Sequence, residues 1–439
     1  MFRCGFCELD ITPFAQTHIH GMFEERLMLD FHAAPCAKAV VMENDGEKVA
    51  ILCLDSLYVY PTSYHEIVER ASKHTGIKPE NIMVAATHSH QGGSTEYYDK
   101  LSEADWMYIR FVRYRAADAI AFANNRLEEA TVRFGERDVY GISFVRNFHM
   151  KDGSIVSEPR GDERENIVDY ETSIDPAYGV MSFVSAKGEV MGMISNFACH
   201  ATADRPEERD EDLGWVSADY PGELSKRMKE VYGQNFVSLF LNGPCGNVGP
   251  DNYKKPMQHR ASYMGRVLAD HAKSLIEQGE TLLEPVVKSA KVEFNVKRRA
   301  PSQEELMWAN GIVSGEIECT SSQKRNNAWW ILDYYKYYQT LKSDEITVRV
   351  QTVRVGDMLI YCLPSELFNH YSKKLKAASP VTRHMVSELG NGSLQYCVPP
   401  HLRGTDMYEA QPNCNIYEAA AGDIFVEKAL ELADIVLAD

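Results

Sequence analysis

Positive charge is what this chain is short of: 46 lysines and arginines stand against 63 aspartates and glutamates, a formal charge of −17 at pH 7. Such a surface repels phosphate backbones, so nucleic acid is not an expected partner. Long apolar runs are missing too. No stretch approaches the roughly 20 residues that a membrane span requires, and the opening MFRCGFCELDITP has neither the basic start nor the apolar core of a secretory signal. The expectation is a cytoplasmic protein with no membrane span. Also lacking are internal repeats, a low-complexity linker, the G-x-x-x-x-G-K-[ST] phosphate loop, and a second C-x-x-C to accompany Cys4 and Cys7 at zinc-ribbon spacing. The ten cysteines sit in apolar runs such as ILCLD and NFACH and read as reduced core thiols.

What is present is an ordinary globular composition, 44% hydrophobic and 25% charged over 439 residues. Short apolar runs alternate with longer amphipathic ones, which predicts an α/β fold with a mixed central sheet flanked by helices. The predicted strands are 48–55, 81–87, 189–199, 235–243 and 357–364. Helices are expected over TSYHEIVERASKH (with a Thr/Ser cap), from Glu103 to Leu127, from near Ser217, and over the closing GDIFVEKALELADIVL. The acid-rich segments 158–172 and 204–213 read as solvated loops, the second placed where a lid could sit. A helical pair with the aromatic run WWILDYYKYY marks a sub-lobe at about 285–356 within one domain spanning 1–439, and those aromatics read as core packing.

Each central strand ends by delivering a polar group: Asp55, then His88 and His90, then His200, Asn242 and Glu366. Sites in open α/β sheets form at the carboxyl ends of strands, where loops present side chains from a rigid base. Two imidazoles and a carboxylate from His88, His200 and Glu366 are the donor set of catalytic zinc with a position left open. The metal site is therefore expected at the strand ends, with Asp55 orienting a ligand histidine.

These segments resemble the catalytic, N-terminal domain of the neutral and alkaline non-lysosomal ceramidases. ATHSHQGG is similar to that family's A-T-H-T-H-S-G-P, NFACHAT to F-A-T-H-S-T, LPSELF to P-G-E, GNGSLQYCVPP to N-x-Y-x-x-Y-[IV]-T-T, and MYEA to Y-E-[AG]-[AS]. Weaker echoes are GFCELDITP, FHAAPCAKAVVM and FVRNF, all in the family's order. The resemblance implies one Zn2+ held by His88, His200, Glu366 and Tyr396, with His90, Arg146 and Tyr408 around the scissile amide. Two departures stand out. Gly249 in CGNVGPDN replaces the serine of G-[DN]-[VL]-S-P-N, and no immunoglobulin-like C-terminal domain is expected. Ser365 also replaces the glycine before Glu366.

The function expected is hydrolysis of an amide, or a related ester, by metal-activated water, which needs no serine. His90 would shuttle the proton, and Arg146 with Tyr408 would hold the oxyanion; Asn242, Gly249 and Asp55 would line the substrate site. A small soluble N-acyl compound is the expected partner, with no expectation for oligomeric state. The alternatives are a true ceramidase acting on N-acylsphingosine and a metal-retaining protein that performs no chemistry. Cys245 is a weak rival nucleophile, since no basic neighbour in sequence lowers its pKa.

Overall fold

The computed structural model of the chain describes residues 1–21, 26–95, 101–204, 214–252, 260–282, 285–392 and 394–438. The expected mixed α/β class is what the chain adopts, with its strands divided between two principal sheets. The larger runs in the order Val237–Asn242, Val190–Phe197, Ala177–Ser185, Glu128–Asp138, Arg3–Asp10, Cys36–Asn44, Glu47–Leu54, Ile82–Ala86, with the short Glu280–Thr281 beside Glu128–Asp138. The smaller holds Val287–Lys297, Glu345–Val355, Met358–Cys362 and Arg383–Ser387. The strand expected at 357–364 thus belongs to the second sheet.

Residue alternation explains the layering. Along Met358–Cys362, Met358, Ile360 and Cys362 enter the cluster shared by the two sheets, while Leu359 and Tyr361 face the Asn369–Ala378 and Ala421–Leu437 helices. In Arg3–Asp10, Cys4 and Phe6 join the inter-sheet cluster, and Cys7 packs under the Pro61–Thr75 and Glu103–Asn125 helices. Both faces are covered, which is why these strands read as continuous apolar runs. It also settles the C-x-x-C: residues three apart in a strand point to opposite faces, so Cys4 and Cys7 share no site.

All neighbours in the larger sheet are antiparallel except at its two edges. There, Val190–Phe197 pairs in parallel with Val237–Asn242, and Glu47–Leu54 with Ile82–Ala86. Parallel neighbours require a crossover, supplied by the Asp219–Tyr232 and Pro61–Thr75 helices. The latter starts on Pro61 after Tyr60 with no side-chain cap, so the expected Thr/Ser cap gives way to proline's preset φ. The sheet curls until its edges meet. The Asn242 side-chain amide donates to the Thr87 carbonyl at 3.2 Å, the Cys53 thiol lies 2.9 Å from the Phe240 carbonyl, and Ser89 bridges Ala201.

The helical pair expected in the sub-lobe is Gln303–Ser314 and Ser322–Thr340, packed around Ala309, Ile312, Ala328 and Ile331. Its aromatics do not all pack as expected: Tyr334 is buried, but Trp329 is 58% and Tyr337 51% exposed. In the segment 158–172, Ile167–Tyr170 forms a strand against Asn147–Met150. Of 204–213, only Asp204 falls among the described residues. No helix among the described residues is long and apolar enough to cross a membrane.

Candidate metal centre

The Ile82–Ala86 strand leads into His88, which adopts φ of 64°, a left-handed conformation uncommon outside glycine. Its Nδ1 lies 3.1 Å from the Leu57 carbonyl. His200, just beyond Val190–Phe197, places Nδ1 2.7 Å from the Cys245 carbonyl, and His90 Nδ1 is 2.6 Å from the Gly21 carbonyl. A carbonyl oxygen only accepts, so each Nδ1 carries the proton and each Nε2 keeps its lone pair. Those nitrogens converge: His90 Nε2 is 3.2 Å from His88 Nε2, and His88, His90 and His200 all bring ligand atoms within 4.8 Å of one another. Glu366 completes the group from the two-residue strand Glu366–Leu367, just beyond Met358–Cys362 of the second sheet. Its Oε2 lies 3.1 Å from His88 Nε2 and 3.3 Å from His200 Nε2 and accepts no hydrogen bond.

Three imidazole lone pairs and a carboxylate facing one another repel unless a cation or a proton lies among them. Burial lowers the His88 pKa to about 3, and burial with the nearby Arg146 charge holds His200 well below its ordinary value. Both imidazoles are neutral at pH 7. Burial and the neighbouring Glu388 push the Glu366 carboxyl well up, so its ionised form lacks a counter-charge. A divalent cation fits this donor set, and imidazole with carboxylate suits zinc. Without metal, acid should be damaging. His88 binds no proton in the fold between pH 6.5 and about 3, whereas the unfolded chain does; stability is fully present above 6.5 and falls as pH drops through that window, by on the order of a few kcal/mol. Metal-free protein melted at pH 7 and pH 5 is expected to show the loss.

Tyr396 reaches the same point through backbone pairing. The two-residue strand Tyr396–Cys397 lies parallel to Glu366–Leu367 with Glu366 opposite Tyr396. The phenol oxygen is 3.5 Å from His200 Nε2 and 3.4 Å from the Tyr408 hydroxyl. Beside Glu366, Ser365 holds φ of 79°, where glycine would be unstrained, while its hydroxyl donates to the Gln395 carbonyl at 2.6 Å. The two effects oppose each other at about 1 kcal/mol each. Ser365→Gly should therefore lie within about 1 kcal/mol of wild type, and Ser365→Ala, keeping the strain without the bond, about 1 kcal/mol below it, as read by urea unfolding.

A family model described as neutral/alkaline non-lysosomal ceramidase, N-terminal, matches residues 2–263. The chain belongs to that family. A neutral ceramidase of Pseudomonas aeruginosa is 27% identical over 266 residues, which make up 58% of this chain and only 38% of that protein. The crystal structure of neutral ceramidase from Pseudomonas aeruginosa superposes with a TM-score of 0.74 at 19% identity, covering 99% of this chain and 74% of that one. A ceramidase complexed with C2 gives 0.71 at 17% identity, covering 99% and 75%. At these identities the superpositions speak for a shared ceramidase fold. The family match includes His88, His90, Arg146, His200 and Gly249, while Glu366, Tyr396 and Tyr408 lie beyond it.

Within this ceramidase-family site several residues stand otherwise than the sequence suggested. Arg146 is buried and spent on protein partners. It donates to the Gly246 carbonyl at 2.7 Å and to the Tyr396 hydroxyl at 3.1 Å, and it pairs with Glu158 at 3.2 Å and Glu409 at 3.1 Å. These contacts hold the guanidinium beside Tyr396 and Tyr408. Asp55 orients neither His88 nor His200, whose Nδ1 protons go to backbone carbonyls. It is 1% exposed, pairs with the buried Lys38 at 2.8 Å, and accepts the Cys36 amide, so it does not line a substrate site. Asn242, fully buried, bonds the Thr87 carbonyl and the Cys199 amide, so it ties together the turns that carry His88 and His200 instead of meeting substrate.

Gly249 lies in the short Val248–Gly249 pairing with Phe144–Val145, beside the Val248 carbonyl that accepts the His200 amide. It is buried, yet a Cβ there would meet no atom of the described residues within 4 Å. The Cys245 thiol is fully buried and donates to Glu388 at 2.9 Å; burial and that carboxylate push it well up, which removes it as a nucleophile. Glu388 and Glu409 escaped the sequence reading. Glu388 follows the Arg383–Ser387 strand, so the strand-end rule would have found it had that strand been recognised; Glu409 stood inside the MYEA motif.

Proposed function

We propose that the protein is a metal-dependent hydrolase that cleaves the amide of an N-acyl amine. The observation that carries this reading is the buried Glu366 Oε2, left without a donor between two unprotonated imidazole nitrogens. A zinc ion held by His88, His200, Glu366 and Tyr396 would supply Lewis acidity and lower the pKa of a bound water to around 7.

The chain's own groups account for the rest. His90, half-exposed and fixed by the Gly21 carbonyl, presents Nε2 to the site; it can take up a proton there and pass it to the departing amine nitrogen. Burial holds the Tyr408 phenol protonated, so its hydroxyl, 3.4 Å from that of Tyr396, can donate to the carbonyl oxygen as charge develops on it. Arg146 keeps both phenols in place. The space at Gly249 admits substrate where the family places a serine.

Short, soluble N-acyl amines are the proposed substrates, because a net charge of −17 opposes the anionic bilayer surfaces on which long-chain amides reside. The relative's name, neutral ceramidase, favours a second reading in which N-acylsphingosine itself is cleaved. Assaying zinc-loaded protein on N-acyl amines of increasing chain length separates the two: turnover should peak at short chains, whereas a steady climb to the longest chain supports the ceramide. Metal retention without turnover of any amide would leave a binding protein.

A further inference from the structure

Glu388 is fully buried and takes no part in the steps above, yet it touches two of the segments that carry the metal ligands. Its Oε2 accepts the Leu367 amide at 2.8 Å, one residue beyond Glu366, and its Oε1 accepts the Cys245 thiol at 2.9 Å. The Cys245 carbonyl in turn accepts from His200 Nδ1 at 2.7 Å. The backbone amide of Glu388 donates to the Asn242 carbonyl at 2.9 Å, which anchors the carboxyl behind the site.

A carboxylate in a protein core ordinarily has a cation beside it. Glu388 meets these two neutral donors and, among the described residues, no basic side chain at ion-pairing distance. Arg146 faces the same region but is already engaged by Glu158 and Glu409. Glu366 lies near enough that the Glu388 charge opposes its ionisation, and it too lacks a counter-charge. With His88 and His200 neutral, the buried surroundings of the site hold two negative charges that no described side chain balances. A divalent cation among the ligands matches that sum.

We propose that Glu388 is a positioning residue of the metal centre, which acts through the Glu366 and His200 segments and supplies the second of the two negative charges that a bound dication balances. The proposal rests on the metal reading of the site. Glu388→Gln tests it, because the amide oxygen can still accept the Leu367 N–H while its NH2 donates to the Cys245 sulfur, so the contacts remain and the charge goes. Zinc affinity of the full chain at pH 7, measured by competition with a chromophoric chelator, should weaken by about tenfold to a hundredfold, the usual cost of losing an outer partner of a metal ligand. The metal-free variant should unfold in urea at a midpoint no lower than that of wild type, since a buried charge without a counter-ion has been removed. Unchanged zinc affinity overturns the proposal. So does a metal-free midpoint that falls, or a variant that does not fold, either of which makes Glu388 a structural support alone. Wild-type protein that binds no zinc would instead overturn the metal reading itself, and this inference with it.

Discussion

Replacing His88 by alanine is expected to yield a folded protein that no longer retains a metal ion through gel filtration, as read by elemental analysis. The side chain supplies one of the converging Nε2 atoms, and its removal leaves Glu366 Oε2 with one imidazole neighbour fewer. Loss of an outer partner of a metal ligand typically costs 10–100-fold in affinity or activity; loss of the ligand itself should exceed that, and amide turnover should fall by roughly a thousandfold or more, given the weight metal activation carries in such sites. Full metal content in the variant would sink the ligand assignment. Tyr396→Phe is the milder comparison, since the phenol oxygen is also held by Arg146 and sits farther from the cluster.

The second large effect is on stability. Arg146→Met should destabilise the fold by roughly 3–5 kcal/mol, the usual cost of removing one partner of a buried ion pair. Glu409 is fully buried, accepts the Ser157 hydroxyl beside the guanidinium, and would lose its counter-charge. Urea unfolding of metal-free protein checks this, and adding Glu409→Gln to Arg146→Met should recover a good part of the loss, because the uncompensated carboxylate is then gone. If Arg146 instead met the reacting carbonyl, the single substitution would cut turnover with stability nearly unchanged. The measurement thus separates a positioning residue from a catalytic one.

The chain's legibility followed periodicity. Runs such as KVAILCLD and DMLIYCLP announced strands because both faces are covered, and the polar residue after each announced a site because only strand ends can tolerate one. Tyr396 was out of reach of that rule. It sits in a strand of two residues whose only marker is its pairing with Glu366, and pairing is a property of two distant segments. Asp55 shows the rule's weakness: it also ends a strand, but a lysine two residues into the neighbouring strand, Lys38, neutralises it inside the core. Nothing in local pattern separates a carboxylate aimed at a metal from one paired beneath the sheet.

By itself, then, the sequence determined the α/β class, the burial of strand thiols such as Cys53 and Cys362, and the identity of the groups able to hold a metal, because each follows from local alternation and side-chain chemistry. Only the tertiary structure decided which of them meet. His88 and His200 leave strands near opposite margins of an eight-strand path and converge because the sheet curls until Asn242 bridges its edges. Glu366 arrives just beyond a strand of the second sheet, paired with Tyr396, and Arg146 forms ion pairs with Glu158 and Glu409. Curl, sheet stacking and ion pairing arise from contacts far apart in the chain, whose energies no local window contains.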